Sequence, residues 1–181
     1  MPILSSIAQR RKLDFFFSDV PRDARILEIG CGDGWLRPAL AARGFTRYVG
    51  IDLRPPADVV GDVNAWRALG LAPESFDVVA AFEVVEHVDC FAASHALLAP
   101  GGAFFVTTPL PSRDWVMRLL EATGLNQKRT SPHDYLVDLR TVPGFAERRV
   151  EIVGGLSQWA VLRKASAAAA AANGASAVQY T

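Results

Sequence analysis

The sequence is short of the features that mark several protein classes. It holds two cysteines and three histidines, and its 19 basic residues balance its 19 acidic ones. Cys31 and Cys90 have neither the density of a disulfide scaffold nor the paired spacing of a zinc site, so a reduced, cytoplasmic setting is expected. No apolar run reaches the 18 or more residues of a membrane span. Arg10-Arg11-Lys12 follows an apolar patch instead of preceding one, the wrong order for a signal peptide. A net charge of zero argues against a dedicated nucleic-acid binder, which carries a basic face; the clusters Arg10-Arg11-Lys12, Lys128-Arg129 and Arg148-Arg149 are short. There is no internal repeat. The remaining picture is one domain of ordinary globular composition, half apolar in 181 residues, long enough for a well-buried core.

Strand and helix patterns alternate along the chain. An amphipathic helix is expected over 3–17, broken by Pro21 and Asp23. Strands follow at Arg25–Ile29, Arg47–Ile51 and Asp58–Val60. A helix over Trp35–Arg43 stops at Gly44; Asn64 is placed to cap the helix containing Trp66. Phe76–Phe82 is a continuous apolar run, suited to a central strand covered on both faces. Helices are expected over Glu86–Leu98, 113–123 and Asp134–Thr141. Strand Ala103–Thr107 follows a Pro100-Gly101-Gly102 turn, and strands 146–153 and 157–163 form a hairpin across Gly154-Gly155. This order predicts an α/β, Rossmann-like, doubly wound sheet of seven strands, mostly parallel with a C-terminal antiparallel strand. Residues 1–20 read as a helix packing on the domain, 21–164 as the domain, and 165–181 as an Ala-rich disordered tail.

The chemistry concentrates at Ile26-Leu27-Glu28-Ile29-Gly30-Cys31-Gly32-Asp33-Gly34-Trp35. A strand ends in a glycine at every second position, then a helix opens. Glycine admits positive φ and lets a ligand touch the backbone. Asp52 closes the second strand, where a carboxylate accepts from ribose hydroxyls or forms a turn. The dinucleotide fingerprint is G-x-G-x-x-G; here the third glycine comes one residue early, and no Tyr-x-x-x-Lys pair suits a NAD-dependent oxidoreductase.

The spacing Glu28-x-Gly30-x-Gly32-x-Gly34 resembles the cofactor loop of the class I S-adenosylmethionine (SAM)-dependent methyltransferases, ubiquinone-type small members among them. Asp52, Gly61-Asp62-Val63-Asn64, Phe76 to His87 and Leu97 to Gly102 follow in the family's order. The resemblance implies SAM as cofactor. It places Glu28, Gly30, Cys31, Gly32, Gly34, Trp35, Asp52, Leu53, Asp62, Val63, Phe82 and Glu83 around it. Gly30, Gly32 and Gly34 would line methionine and ribose, Asp52 would hold the ribose, and Asp62 the adenine unless it is a helix cap. Phe82 or Glu83 would lie near the amino-acid end. Arg10, Arg11 and Lys12 either reach a carboxylate or form a solvated helix face.

Glu83, Glu86 and His87 form E-x-x-E-H. On a helix these spacings share one face, and with His133 they make a candidate site for Mg2+ or another divalent cation. The same residues have bland readings: a His at a helix start, a capping carboxylate, a loop anchor. Glu86, His87 and His133 are the candidate catalytic groups. His95 is read as a helix-surface residue without a role. The resemblance implies methyl transfer to a hydroxyl of a small-molecule or glycan-type acceptor, with residues 109–132 as part of its wall. The competing readings are an RNA or protein methyltransferase and a non-catalytic SAM-binding protein. A monomer or homodimer without nucleic-acid or membrane partners is expected.

Overall fold

The computed structural model describes residues 3–111 and 137–169. Its elements are α1 (Ile3–Phe17), β1 (Ile26–Ile29), α2 (Leu36–Ala41), β2 (Tyr48–Asp52), β3 (Val59–Val60), a 3-10 turn (Val63–Ala65), β4 (Phe76–Phe82), α3 (Phe91–Leu97), β5 (Leu98–Pro109), β6 (Glu147–Val153) and β7 (Ser157–Arg163). They build one seven-stranded sheet in the order β3-β2-β1-β4-β5-β7-β6. β1 to β5 run parallel, and β7 is antiparallel to both β5 and β6. The expected sheet and its reversed strand are present.

The period-two alternation of a strand sends side chains to opposite faces. Leu27, Ile29, Val79, Ala81, Phe104 and Val106 pack beneath α3 and residues 137–145. Ile26, Val78, Ala80, Ala103 and Phe105 pack beneath α1 and α2. Both faces of β1 and β4 are therefore covered, which is why these strands read as unbroken apolar runs. Among the described residues no helix is long and apolar enough to cross a membrane.

Four local expectations are corrected. First, among residues 7–17, whose burial is described, α1 is not amphipathic along its length. Its buried residues, Leu13, Phe16 and Phe17, gather at its C-terminal end, where Phe16 sits among Phe82, Phe105 and Trp159. Second, the helix after β4 begins at Phe91, not Glu86. Val85 is fully buried in the core, and the Asp89 carboxylate accepts from Phe91 N at 3.1 Å, so the chain turns through 83–90 before the helix starts. Third, Asp62 caps the 3-10 turn by accepting from Asn64 N at 2.9 Å; Asn64 instead donates its Nδ2 to Asp89 O at 3.0 Å. Fourth, Pro100-Gly101-Gly102 lies within β5, which pairs irregularly there with β4, and residues 137–141 are not helical. The expected helix over 113–123, His133, and residues 170–181 lie outside the described residues.

Candidate functional site

The site grows from the end of β1. Gly30 and Cys31 donate their N–H groups to Ile51 O at 2.8 and 3.3 Å, so the chain turns sharply against β2. Gly30 has φ +68°, and a Cβ there would come within 2.5 Å of Val84 Cγ2. The backbone conformation and the close approach both require glycine. Gly32 and Gly34 also have positive φ, but space is open around each. Asp52, at the end of β2, accepts from Gly32 N at 2.9 Å and from Arg54 N at 3.2 Å. The same carboxylate thus holds the glycine turn and keeps lone pairs for a ligand.

A cavity of about 590 Å3 opens beside this turn. Its described lining includes Gly30, Asp52, Leu53, Asp62, Val63 and Glu83, together with Ile29, Val84 and His87. Six residues expected at the cofactor meet there. Cys31, Gly32, Gly34, Trp35 and Phe82 do not line it: Cys31 is buried, and Trp35 and Phe82 face each other at 6.4 Å on the α1 side.

Glu28 lies buried beneath the turn at 2 % exposure. It accepts a hydrogen bond from the Tyr48 hydroxyl. Burial pushes its carboxyl up to about 7, against the opposing pull of the Tyr48 hydrogen bond and of Arg37. The Tyr48 phenol is pushed up as well, by burial and then by the Glu28 charge. The Arg37 guanidinium stacks 4.6 Å over the Tyr48 ring and pairs with Asp58. Asp58 in turn accepts from Gly50 N at 2.7 Å. A Cβ on Gly50 would stand 2.9 Å from Cys31 Sγ and 3.1 Å from the Tyr48 hydroxyl. One polar network therefore ties β1, α2 and β2 together under the glycine turn.

E-x-x-E-H is a turn, not a helical face, which corrects the expectation for these three residues. Glu83 has φ +58°, an uncommon backbone state for a residue other than glycine. Its N–H donates to Thr107 O at 2.9 Å. Its Oε1 accepts from Thr107 Oγ1 at 2.7 Å and from Lys12 Nζ at 3.1 Å. Glu86 turns the other way, buried at 2 % exposure, and accepts from Thr108 Oγ1 at 3.0 Å. Burial, and secondarily the Glu83 charge, pushes the Glu86 carboxyl up to about 7. His87 faces the cavity. Among the described residues no three His, Cys, Asp or Glu side chains are grouped to hold a metal ion, so the proposed set does not assemble from Glu83, Glu86 and His87. Its fourth member, His133, lies outside the described residues.

Sequence reasoning missed Tyr48, Arg37, Asp58 and Thr107 as members of the site, and did not separate Lys12 from its neighbours. Arg10 and Arg11 are exposed, as a solvated face would be. Lys12 is 14 % exposed and bonded at the ends of β4 and β5. The signal was present: Lys12 and Phe16 are four apart, so they share a helix face, and Phe16 is buried.

Comparison with known proteins agrees with this geometry. A model of a family described as "Methyltransferase domain" matches residues 6–141. The chain is 35 % identical over 117 residues to a "Ubiquinone biosynthesis O-methyltransferase" of Xylella fastidiosa, covering 54 % of this chain and 47 % of that one. It is 31 % identical over 159 residues to a protein of the same name from Ralstonia nicotianae, covering 75 % and 66 %. The chain thus spans about half to two thirds of the length of these relatives. A Pyrococcus horikoshii OT3 crystal structure superposes with a TM-score of 0.66 at 19 % identity, covering 88 % of this chain and 91 % of that one. A SAM-dependent methyltransferase from Archaeoglobus fulgidus gives 0.61 at 14 %, covering 88 % and 94 %; at such identities these two show the fold alone. The family match covers most of the chain, from α1 through the turn after β4 to beyond β5, and this protein belongs to the methyltransferase-domain family of the class I SAM-dependent superfamily.

Proposed function

We propose that this chain transfers the methyl group of SAM to a hydroxyl oxygen of a small-molecule acceptor. One observation carries the cofactor assignment: the cavity brings together a glycine turn that admits no side chain at Gly30, the Asp52 carboxylate and the Asp62 carboxylate. The residues present fit an adenosine cofactor. Asp52 offers lone pairs to a ribose diol, Asp62 has a second oxygen beyond the one used by Asn64 N, and Leu53, 70 % exposed at the rim, offers apolar surface to a flat base. The choice of oxygen is supported by the two relatives, both named as O-methyltransferases.

When bound, SAM supplies an electrophilic methyl group on a sulfonium, which is displaced in line. The protein's part is alignment and water exclusion, an effect worth up to ~7–11 kcal/mol in favourable systems. The turn at Gly30, hydrogen-bonded to Ile51 O and closed to any Cβ by Val84, would set where the cofactor lies. A hydroxyl acceptor must also lose its proton. A base within reach of the cavity suits that task; Glu86 is a candidate, but it is buried and turned toward Thr108 Oγ1. His87 and His133 complete the candidate set, as do Glu28, Cys31, Gly32, Gly34, Trp35, Val63, Phe82 and Glu83 for holding or shaping the cofactor site.

The test is calorimetric titration with SAM and, separately, with NADH, followed by a screen of phenolic, glycan and amine acceptors for S-adenosylhomocysteine release. SAM binding without NADH binding, and turnover on hydroxyl acceptors, is expected. Folded protein that binds NADH and not SAM would overturn the cofactor assignment, and turnover confined to amines would overturn the choice of oxygen.

A further inference from the structure

The seven residues of β6, Glu147-Arg148-Arg149-Val150-Glu151-Ile152-Val153, close one end of the sheet beyond β7. Among the described residues β6 pairs with β7 alone, so its outer edge presents N–H and C=O groups without a ladder partner, a template for another strand. Natural edges are guarded by proline, lysine, bulges or extreme shortness. β6 uses none of these. It contains neither proline nor lysine, and its register against β7 runs unbroken from Glu147↔Arg163 to Val153↔Ser157. Glu147, Arg148, Arg149 and Glu151 are exposed, and so is Ile152, at 45 %. The edge carries charge of both signs in a definite order.

That order is complementary to itself. Strand alternation puts Arg149 and Glu151 on one face and Val150, between them, on the other. The Arg149 guanidinium stacks 4.8 Å over the Phe15 ring and donates to Glu151 Oε1 at 2.6 Å, which holds both charges on that face. Two antiparallel copies of one strand, related by a two-fold axis, match faces only in registers centred on a residue, because a one-residue slip sends every side chain to the wrong side. Centred on Val150, the whole of β6 pairs. Arg149 then stands opposite the partner's Glu151, Glu151 opposite the partner's Arg149, and the Arg148 stem covers the partner's Ile152. Centred on Arg149, that residue meets its own copy and Glu147 meets the partner's Glu151; centred on Glu151, the two carboxylates face each other. Like charges directly opposite are destabilising, and both of these registers leave part of the strand unpaired. We propose that two copies of this chain associate through β6, antiparallel and centred on Val150, with reciprocal Arg149–Glu151 ion pairs. β6 runs in the same direction as β5, so the two-fold axis sends the two cofactor cavities to opposite ends of the joined sheet.

The experiment is sedimentation equilibrium of the full chain over a concentration series, for wild type, Glu151→Arg and the charge-exchanged double variant Arg149→Glu/Glu151→Arg, with far-UV circular dichroism to show that each is folded. Wild type is expected to dimerise. Glu151→Arg should raise the dissociation constant about tenfold or more, since both cross-strand attractions become repulsions. The double variant puts opposite charges back across the axis and should return the constant to within about threefold of wild type. The register is read separately by mild oxidation. Val150→Cys lies opposite its own copy, at the roughly 4.5–5.5 Å Cβ separation of directly paired residues, and should form an interchain disulfide; Ile152→Cys, opposite the partner's Arg148, should not. A wild type that stays monomeric throughout the series overturns the inference. So does a dimer that Glu151→Arg leaves intact, a weakened dimer that charge exchange fails to restore, or cross-linking through Ile152→Cys in preference to Val150→Cys.

Discussion

Glu28 makes the stability of this fold depend on pH in a direction opposite to that of a salt-bridged carboxylate. Its carboxyl stands at about 7 in the folded chain, against an ordinary 4.5, chiefly because burial penalises the charged form. An acid whose folded value is raised contributes its full stability below the unfolded value, and loses it as the pH rises through the folded one. The window runs from about 4.5 to about 7. At about 1.36 kcal/mol for each tenfold change in proton affinity, ionised Glu28 costs roughly 3 kcal/mol at pH 8 relative to the protonated form at low pH. Most of that falls between pH 5 and 8. Glu28→Gln keeps the shape and an oxygen to accept from Tyr48, but cannot ionise. Its amide N–H adds a desolvation cost of about 1–3 kcal/mol, so the slope with pH, not the absolute stability, is the diagnostic quantity. The assay is urea unfolding at pH 5, 6, 7 and 8. Wild type should lose roughly 2–3 kcal/mol more than Glu28→Gln across that range. Parallel curves for the two proteins would refute the raised carboxyl and the dry environment that causes it.

Other expectations follow from single contacts. Gly30→Ala meets both a left-handed backbone, costing about 1–2 kcal/mol, and a 2.5 Å approach to Val84 Cγ2, adding about 1–3 kcal/mol. Gly32→Ala meets the first cost only, since nothing stands within 4 Å; equal melting temperatures for the two variants would contradict the packing described. Phe16→Ala, 3 % exposed among Phe82, Phe105 and Trp159, should lose about 3–5 kcal/mol of stability by urea unfolding. A loss of less than about 1 kcal/mol would contradict the aromatic packing of α1 on the sheet. Glu83 is engaged by Lys12 and Thr107, so EDTA should leave SAM affinity unchanged by calorimetry; a loss restored by Mg2+ would reinstate a metal role for E-x-x-E-H.

Some of this protein was set by its sequence alone. Alternating strands and helices with two-sided apolar runs specify a doubly wound sheet, because a strand covered on both faces admits no polar alternation. Gly30 and Asp52 announced the nucleotide-type turn, since a glycine that cannot carry a Cβ and an acid at a strand end serve local geometry. Tertiary structure decided what lies between distant segments. E-x-x-E-H reads as a helical face, but Val84 must fill the space at Gly30 and Val85 must enter the core, so the segment turns and its three side chains diverge. Asn64 and Asp62 are equal caps on paper; the carbonyl of Asp89 draws the Asn64 side chain away and leaves the cap to Asp62. Lys12 is one of three consecutive cations in the sequence, and only the burial of Phe16 four residues later turns it toward Glu83. Tyr48 and Arg37 carry no motif, yet they brace Glu28 because β2 lies beside β1. Periodicity and glycine placement are local properties of a chain, whereas the pairing of buried charges depends on which strands become neighbours.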